Sequence, residues 1–348
     1  MRVALLGCGA MGTVMGALMT KNGLAVEMID NYKEHVDAMN EHGARIVGSI
    51  DITVPVKAIL PQQMSGIYDM VLLLTKQTAN NAVLPNLLEF LGPNSTVCTL
   101  QNGVPEPSVA KHIGQERTVG GTILWGATFM GPGVSELTQD LSKNDHLFEI
   151  GEIDGTIGPR IEKVAEVLNH MGLGGGTKVT DTLMASRWGK LINNACMSGM
   201  SAALGVTFGE VLDNPHARAC LSYIGREVKQ CCEAAGYKLP MLLHNQSPDT
   251  LDLADQAMFD ANQQMFLDMY AGMRTAKASM LQDLEKGNAT EVPMINGFVC
   301  DAGRQYGIAT PFNDKVLEIV TGIEQGKLPL SMDNINLFGK EMLVYSHS

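Results

Sequence analysis

The feature that most constrains the fold of this chain is a glycine-rich turn near its start. The sequence GCGAMG at residues 7–12 follows a short apolar run, RVALL, at residues 2–6. The next residues, 13–21, have the pattern of a helix, and AVEMID at residues 25–30 has the pattern of a second strand. Strand, glycine turn, helix and strand in this order are typical of the first βαβ unit of a parallel sheet.

The turn has the spacing GxGxxG, which by itself also occurs in ordinary tight loops. Here it follows a strand and opens a helix, the context in which such a turn binds the pyrophosphate of a dinucleotide. Gly7 permits the tight turn, Gly9 lets the backbone approach the phosphates, and Gly12 lets the helix pack closely on the strand. The helix N-terminus adds N–H donors and the positive end of its dipole. We therefore predict a dinucleotide-binding turn made of Gly7, Cys8, Gly9, Ala10, Met11 and Gly12.

Asp30, at the end of the second strand, bears on which dinucleotide binds. A carboxylate at this position accepts hydrogen bonds from the ribose hydroxyls of NAD. It also repels the 2′-phosphate of NADP, because both groups are negatively charged. Lys33 lies close enough in sequence to supply a compensating cation. We expect NAD as the cofactor, with NADP as the alternative.

The rest of the chain divides into two parts of different pattern. Up to about residue 180 strands alternate with helices, which predicts an α/β domain with a parallel sheet covered on both faces. Beyond that point strand signals vanish and the segments have helical periodicity. We predict a Rossmann-type domain over 1–180 and an all-helical domain over 181–348. The segments expected in the first domain are strands at 69–76 and 95–103, helices at 79–92 and 159–171, and further strands between 118 and 151.

Composition excludes several classes of function. The chain has 25 basic and 37 acidic residues, a net charge of −12, which disfavours nucleic acid and anionic membrane surfaces as partners. No apolar run reaches the roughly 18 residues of a membrane-spanning helix, and no secretory signal is recognisable at the N-terminus. The 7 cysteines and 8 histidines show no metal-binding spacing. We expect a cytoplasmic protein with reduced thiols and no metal site.

One segment of the second domain carries a candidate proton donor. Lys190, Asn194 and Ser198 are spaced i, i+4, i+8, which places them on one face of an α-helix. A solvated helix face is the alternative interpretation of such a lysine. The surrounding residues are small and apolar, however, which favours a buried functional row.

A second segment places Ser279 on one helix face with Gln282 and Asp283. Further along, Asn288 and Glu291 have the spacing of a capping box, in which Glu291 closes a helix N-terminus. The residues alone favour this cap over a role in a site.

Two more polar side chains follow predicted strands of the first domain. Lys76 and Asn102 each lie where a buried strand ends, and open α/β sheets bind ligands at the carboxyl ends of their strands. The alternatives are a solvated strand end for Lys76 and a simple Asn-Gly turn for Asn102.

Together these segments resemble the ketopantoate reductase family. The resemblance is carried by LLGCGAMG, by Lys76, and by LQNGV, WGKLINNA and SMLQDLEKGNATEVPMINGF, which begin at residues 100, 188 and 279. It implies a Rossmann domain and a helical domain like the C-terminal domain of 6-phosphogluconate dehydrogenase, with the active site in the cleft between them. The implied reaction is hydride transfer from NADPH, the usual cofactor of the family, to 2-dehydropantoate. The product is (R)-pantoate, for pantothenate and coenzyme A synthesis, and a homodimer is expected.

The resemblance also implies roles for individual residues. Lys190 would be the general acid, and Glu291 a second catalytic acid that contacts the nicotinamide ribose and keeps Lys190 protonated, which reverses the preference for a cap. The substrate, a small 2-keto acid, would be bound by Asn102, Asn194, Ser198 and Ser279. The cofactor would be bound by the glycine turn together with Asp30, Lys76, Asn102 and Glu291.

The sequence departs from the family pattern in places that concern the substrate. Ser198 stands where a second asparagine is expected, and Phe208 where the pantoate enzymes present another substrate-binding asparagine. Residues 244–256 resemble an insertion. One alternative is therefore a D-2-hydroxyacid dehydrogenase that acts on bulkier, more apolar keto acids. A second is a non-catalytic protein that senses nucleotides, against which the intact candidate catalytic residues argue.

Overall fold

The computed structural model describes residues 1–345, which fold as two compact units. The first unit is Met1–Leu183, and the second begins at Met184. No helix within the described residues combines the length and apolar composition that crossing a membrane requires.

The first unit is an α/β structure built on a large sheet. The strands of this sheet are short and mostly buried, because helices pack against them. The strands of the first unit are β1 (Val3–Leu6), β2 (Val26–Ile29), β3 (Ala44–Gly48), β4 (Ile52–Val54), β5 (Lys57–Ile59), β6 (Tyr68–Leu73), β7 (Leu91–Thr99), β8 (Thr118–Ile123), β9 (Ala127–Gly131), β10 (Val134–Leu137), β11 (Phe148–Glu152) and β12 (Thr177–Val179). Its helices are α1 (Ala10–Lys21), α2 (Lys33–His42), α3 (Asn80–Leu87), α4 (Glu106–Ile113) and α5 (Pro159–Asn169).

The strand order of the large sheet defines where a ligand binds. The eight strands run β12-β11-β8-β7-β6-β1-β2-β5, and all neighbouring pairs are parallel except β8 and β11. The chain moves outward from β1 to β2 and β5, then returns to β6 on the other side of β1. Such a reversal opens a crevice at the carboxyl ends of the strands, where doubly wound sheets bind ligands. The predicted Rossmann-type α/β fold is confirmed.

The first unit differs from the prediction in two respects. A separate four-stranded sheet, β4-β3-β10-β9, packs against α1 and was not foreseen as a sheet. The helix expected over 79–92 ends at Leu87, and β7 already begins at Leu91. A 3₁₀ turn, Leu88–Phe90, continues α3 directly up to the strand.

The glycine turn is held by close backbone packing. Gly7 has a φ of 99°, and a Cβ there would lie 2.5 Å from the backbone nitrogen of Thr75 in the loop after β6. A Cβ at Gly12 would collide with the carbonyl oxygen of Gly7. By contrast, no atom lies within 4 Å of a Cβ built at Gly9. Two of the three glycines therefore serve packing, and Gly9 faces open space.

The second unit is helical, as predicted. Its helices surround a buried apolar interior to which α9 contributes most of its length. They are α6 (Leu183–Asn193), α7 (Gly199–Leu204), α8 (Phe208–Asp213), α9 (Pro215–Ala234), α10 (Gln256–Met269), α11 (Ser279–Glu285), α12 (Asn296–Tyr306) and α13 (Pro311–Glu324).

Helices α6 and α7 are joined by a π-helical turn, Asn194–Ser198, instead of forming one regular α-helix. Gly199 N–H donates to the carbonyl of Asn194, five residues back. Four residues therefore make less than a full turn here. This shortfall is small, so Ser198 remains on the side of the helix where Lys190 and Asn194 lie. The shared face therefore stays a prediction, and only the regular α-helical geometry expected between Asn194 and Ser198 is wrong.

The glycine geometry generates a prediction that separates folding from binding. Gly12→Ala is expected to lower the unfolding temperature, since overpacking typically costs about 1–3 kcal/mol. Gly9→Ala is expected to leave the unfolding temperature unchanged, because its methyl group enters open space, but to weaken binding of a dinucleotide. Thermal unfolding and titration of cofactor fluorescence measure the two effects. A Gly9→Ala variant that binds the dinucleotide as the wild type does would contradict the prediction.

Candidate active site

The N-terminus of α1 fits the phosphates of a dinucleotide. The first turn of a helix leaves its N–H groups without helical acceptors, and here these belong to Ala10, Met11 and Gly12. Gly9 borders the open space in front of them. This arrangement offers N–H donors, a positive dipole and room for a pyrophosphate.

Asp30 is bound to the same turn. Its Oδ2 accepts the N–H of Cys8 at 2.7 Å, and its Oδ1 accepts the N–H of Tyr32 at 2.9 Å. A carboxylate oxygen has lone pairs for further donors, so these bonds leave capacity for ribose hydroxyls. The ammonium group of Lys33 lies 2.5 Å from Asp37, so Lys33 is paired with a different carboxylate.

His35 is a buried residue of this region that the sequence did not single out. Its Nδ1 accepts the N–H of Gly133, in the β9–β10 hairpin, at 2.8 Å. Its Nε2 must therefore carry the ring proton, which it donates to the carbonyl of Cys8 at 2.7 Å. The neutral ring thus joins the glycine turn to the small sheet. No spacing in the sequence indicates this role of His35, because the hydrogen bond between Gly133 and His35 joins residues that are 98 positions apart.

Lys76 and Asn102 lie in the loops that follow β6 and β7, as predicted from the strand ends. Lys76 is exposed and Asn102 is half-buried. The carbonyl of Asn102 accepts a hydrogen bond from Gln77 at 2.6 Å. Gln101, which is buried, donates to the carbonyl of Thr75 at 2.7 Å. The two glutamines were missed as positioning residues, although both stand beside predicted site residues.

Lys190 lies in the last turn of α6, in surroundings that change its acidity. Burial and the neighbouring guanidinium of Arg187 lower the pKa of Lys190 to about 7, and Glu291 acts in the opposite direction. Arg187 is fully buried and Glu291 is 7% exposed, so both charges act in a poorly solvated environment. The expected effect of Glu291 has the predicted direction. Burial and Arg187 act against it, and together they shift the pKa of Lys190 further than Glu291 does.

Asn194 follows Lys190 by one helical turn. Its Nδ2 is buried and has no hydrogen-bond acceptor among the residues that the structure describes. A buried amide donor without a partner costs about 1–3 kcal/mol, so a ligand that accepts from it gains affinity. Ser198 is half-buried at the end of the π turn. Ser279 is exposed at the first position of α11, which packs against α7 and the π turn.

Glu291 does not form the capping box that the residues alone favoured. The nearest helical turn, Val292–Met294, begins after Glu291, and no side chain caps it. Asn288 is exposed in the turn after α11 and precedes no helix at the required spacing. The cap hypothesis is wrong, because three residues of irregular backbone stand where it requires a helix.

Phe208 is the first residue of α8 and is half-buried. Its ring packs edge-on against Tyr270, with ring centroids 5.7 Å apart. The hydroxyl of Tyr270 donates to the side chain of Asn193 at 2.8 Å, and Asn193 is the residue directly before the π turn. An aromatic pair therefore stands beside the segment that carries Asn194.

No metal-binding cluster of three or more His, Cys, Asp or Glu side chains occurs in the part of the chain that the structure describes.

Comparison with known proteins adds to this geometry. The family model "Ketopantoate reductase PanE/ApbA" matches residues 3–153, and "Ketopantoate reductase PanE/ApbA C terminal" matches residues 182–324. The 2-dehydropantoate 2-reductase of Archaeoglobus fulgidus is 28% identical over 328 residues, which cover 93% of this chain and 98% of the relative.

Two solved structures share the fold. A D-mandelate dehydrogenase in ternary complex with NADH and anilino(oxo)acetate superposes with a TM-score of 0.78 at 24% identity, over 94% of this chain and 99% of the other. A PanE/ApbA family ketopantoate reductase from Ralstonia eutropha superposes with a TM-score of 0.78 at 23% identity. The match covers 94% of this chain and 99% of the other.

The two family models together span most of the chain in the predicted order. The named relatives are enzymes, which argues against the alternative of a non-catalytic nucleotide sensor. The chain belongs to the ketopantoate reductase family and is an NAD(P)-dependent oxidoreductase.

Proposed function

We propose that this protein reduces a 2-keto acid with NADH, with Lys190 as the general acid and 2-dehydropantoate as the first candidate substrate. The observation that carries the proposal is the pairing of two neighbouring groups on one helix. Lys190 has its pKa lowered to about 7, and Asn194 presents a buried amide donor with no acceptor among the described residues. A proton donor beside an unfilled hydrogen-bond position is what reduction of a carbonyl requires.

Lys190 contributes in two ways to the reaction. When bound, the nicotinamide supplies a hydride to the keto carbon, so that the carbonyl oxygen becomes an alkoxide. The ammonium group of Lys190 stabilises this negative charge and transfers a proton to the oxygen, which gives the hydroxy acid. A pKa near the working pH suits both donation during reduction and acceptance in the reverse direction.

The remaining residues hold the two reactants. In the second unit, Asn194 donates to the substrate oxygen, Ser198 and Ser279 bind its carboxylate end, and Glu291 sets the charge on Lys190. In the first unit, the turn at residues 7–12 and Asp30 hold the dinucleotide, with Lys76 and Asn102 at the adjacent strand ends. The fit of the glycine turn and the unpaired Asn194 donor support this assignment.

A second candidate function is a D-2-hydroxyacid dehydrogenase for bulkier, apolar keto acids. The Phe208–Tyr270 pair favours it, because it presents an apolar wall where the pantoate pattern has an amide. The D-mandelate dehydrogenase that shares the fold was solved with NADH. A homodimer and a cytoplasmic location remain predictions.

The first prediction concerns the acid. Lys190→Ala is expected to lower kcat about 10²–10⁴-fold, the range for loss of a positioned acid, with unchanged affinity for NADH. Lys286→Ala, at the exposed residue that directly follows α11, is the matched control. In the wild type, kcat/KM for reduction should fall as the pH rises through about 7, because only the protonated amine donates. For oxidation of the hydroxy acid, kcat/KM should fall as the pH drops below about 7, because only the neutral amine accepts a proton.

Glu291→Gln tests the same assignment through the pH profile. Glu291 raises the pKa of Lys190, so its neutral replacement should move the reductive limb to lower pH. Near-normal turnover of Lys190→Ala, or an unmoved profile in Glu291→Gln, would refute the assignment.

The second prediction concerns the cofactor. The wild type is expected to prefer NADH over NADPH in kcat/KM by at least about tenfold, or 1.4 kcal/mol. Asp30→Asn removes the charge but keeps an oxygen for one of the two N–H donors, so it should lose the preference without losing the turn. Lys33→Ala should not alter the ratio, because Lys33 pairs with Asp37. A wild type that prefers NADPH would overturn the role of Asp30.

The third prediction separates the two candidate substrates. With Phe208 in place, 2-dehydropantoate, 2-ketoisovalerate and phenylpyruvate should be reduced within roughly a hundredfold of one another, since an apolar wall discriminates by only about 1–3 kcal/mol per methylene. Phe208→Asn should raise the selectivity for 2-dehydropantoate over the other two keto acids. Phe208→Leu keeps an apolar side chain at the same position and serves as the control. Sharp selectivity of the wild type for 2-dehydropantoate would exclude the broader function.

A further inference from the structure

The π turn that contains Asn194 depends on a side chain from elsewhere in the second unit. In a regular α-helix the N–H of Gly199 would donate to the carbonyl of Ala195. Here it donates to Asn194 instead, and the side chain of Asn296 donates its Nδ2 to the Ala195 carbonyl at 3.1 Å. Asn296 therefore replaces a hydrogen bond that the helix has given up.

Asn296 also belongs to the segment that carries Glu291. It is the first residue of α12 and follows Glu291 after the single turn Val292–Met294. The buried side chain of Asn296 thus connects the backbone of Ala195, beside Asn194, to the segment that begins at Glu291. The carboxylate of Glu291 is the charge that raises the pKa of Lys190.

The orientation of the Asn296 amide is held by further buried groups. Its Nδ2 donates a second hydrogen bond to Oδ1 of Asn313 at 2.9 Å. Asn313 in turn donates its own Nδ2 to the carboxylate of Glu227 at 2.7 Å. Glu227 also accepts the backbone N–H groups of Phe312 and Asn313, each at 2.9 Å. Because each partner is fixed by others, Asn296 has little freedom to turn away from Ala195.

The contact is close, and it has an energetic cost. A Cβ at Gly199 would lie 2.9 Å from Oδ1 of Asn296, so the glycine permits the approach of the amide. That oxygen is buried and has no hydrogen-bond donor among the described residues. An unpaired buried acceptor costs about 1–3 kcal/mol, which a purely structural core position would avoid with an apolar side chain.

We propose that Asn296 is a positioning residue: it holds the π turn so that Asn194 presents its amide to the keto acid while Glu291 is kept beside Lys190. This inference rests on the proposed function. Displacement of a binding group by about 1 Å is enough to cost roughly a hundredfold in rate.

The test compares two buried asparagines of the same unit. Asn334 donates its Nδ2 to two backbone carbonyls, Ala203 at 3.0 Å and Pro329 at 2.9 Å, so it makes a similar contact with α7, beyond the π turn. Asn296→Ala is expected to raise the KM for the keto acid about tenfold or more and to lower kcat, with the Kd for NADH unchanged. Asn334→Ala is expected to lower the unfolding temperature without altering either kinetic constant. If Asn296→Ala does not fold, Asn296→Ser is measured with the same expectation.

Hydrogen exchange provides a readout that does not require turnover. Amides of residues 195–200 should exchange faster in Asn296→Ala than in Asn334→Ala. A fall in unfolding temperature with normal KM and normal exchange would overturn the proposal, as would an equal rise of KM in Asn334→Ala. A wild type that reduces no 2-keto acid would instead refute the proposed function, and the exchange experiment would still show whether Asn296 holds the turn.

Discussion

The first unit depends on one close contact between backbone segments. The turn after β1 touches the loop after β6 at Gly7, and the start of α1 touches the turn itself at Gly12. Any side chain at these two positions would push the helix off the sheet. Because the contact is so close, the N–H groups of α1 point into the crevice where the strand order reverses. Asp30 and His35 then secure the turn from either side through the backbone of Cys8.

The second unit depends on a balance between burial and charge around Lys190. Burial favours the neutral amine, Arg187 acts in the same direction, and Glu291 opposes both. The resulting pKa of about 7 lets one side chain exist in both protonation states under ordinary conditions. The π turn that follows gives up a regular helical bond and leaves the Asn194 amide available. The titratable amine and the unpaired amide donor thus lie on consecutive turns of one helical segment.

Much of this was predictable because it depends on local patterns. The order of strand, glycine turn and helix led to the Rossmann-type sheet, and helical periodicity beyond residue 181 led to the helical second unit. Lys76 and Asn102 were found from the ends of apolar runs. The capping box at Glu291 failed because spacing alone does not show whether a helix follows. Regular α-helical geometry was wrongly assumed between Asn194 and Ser198, because a pattern of residues does not show a π turn.

The sequence by itself determined the fold class, the glycine turn before α1 and the chemical types of the candidate site residues, since each depends on neighbours along the chain. Only the tertiary structure decided the acidity and the hydrogen-bond partners of those residues. The pKa of Lys190 is set first by burial, then by Arg187, one turn away, and by Glu291, about a hundred residues later. The hydrogen bond from Asn296 to Ala195 spans 101 residues, and that from Gly133 to His35 spans 98. Desolvation and hydrogen bonding act through distance in space, and a pattern of residues along the chain does not contain that distance.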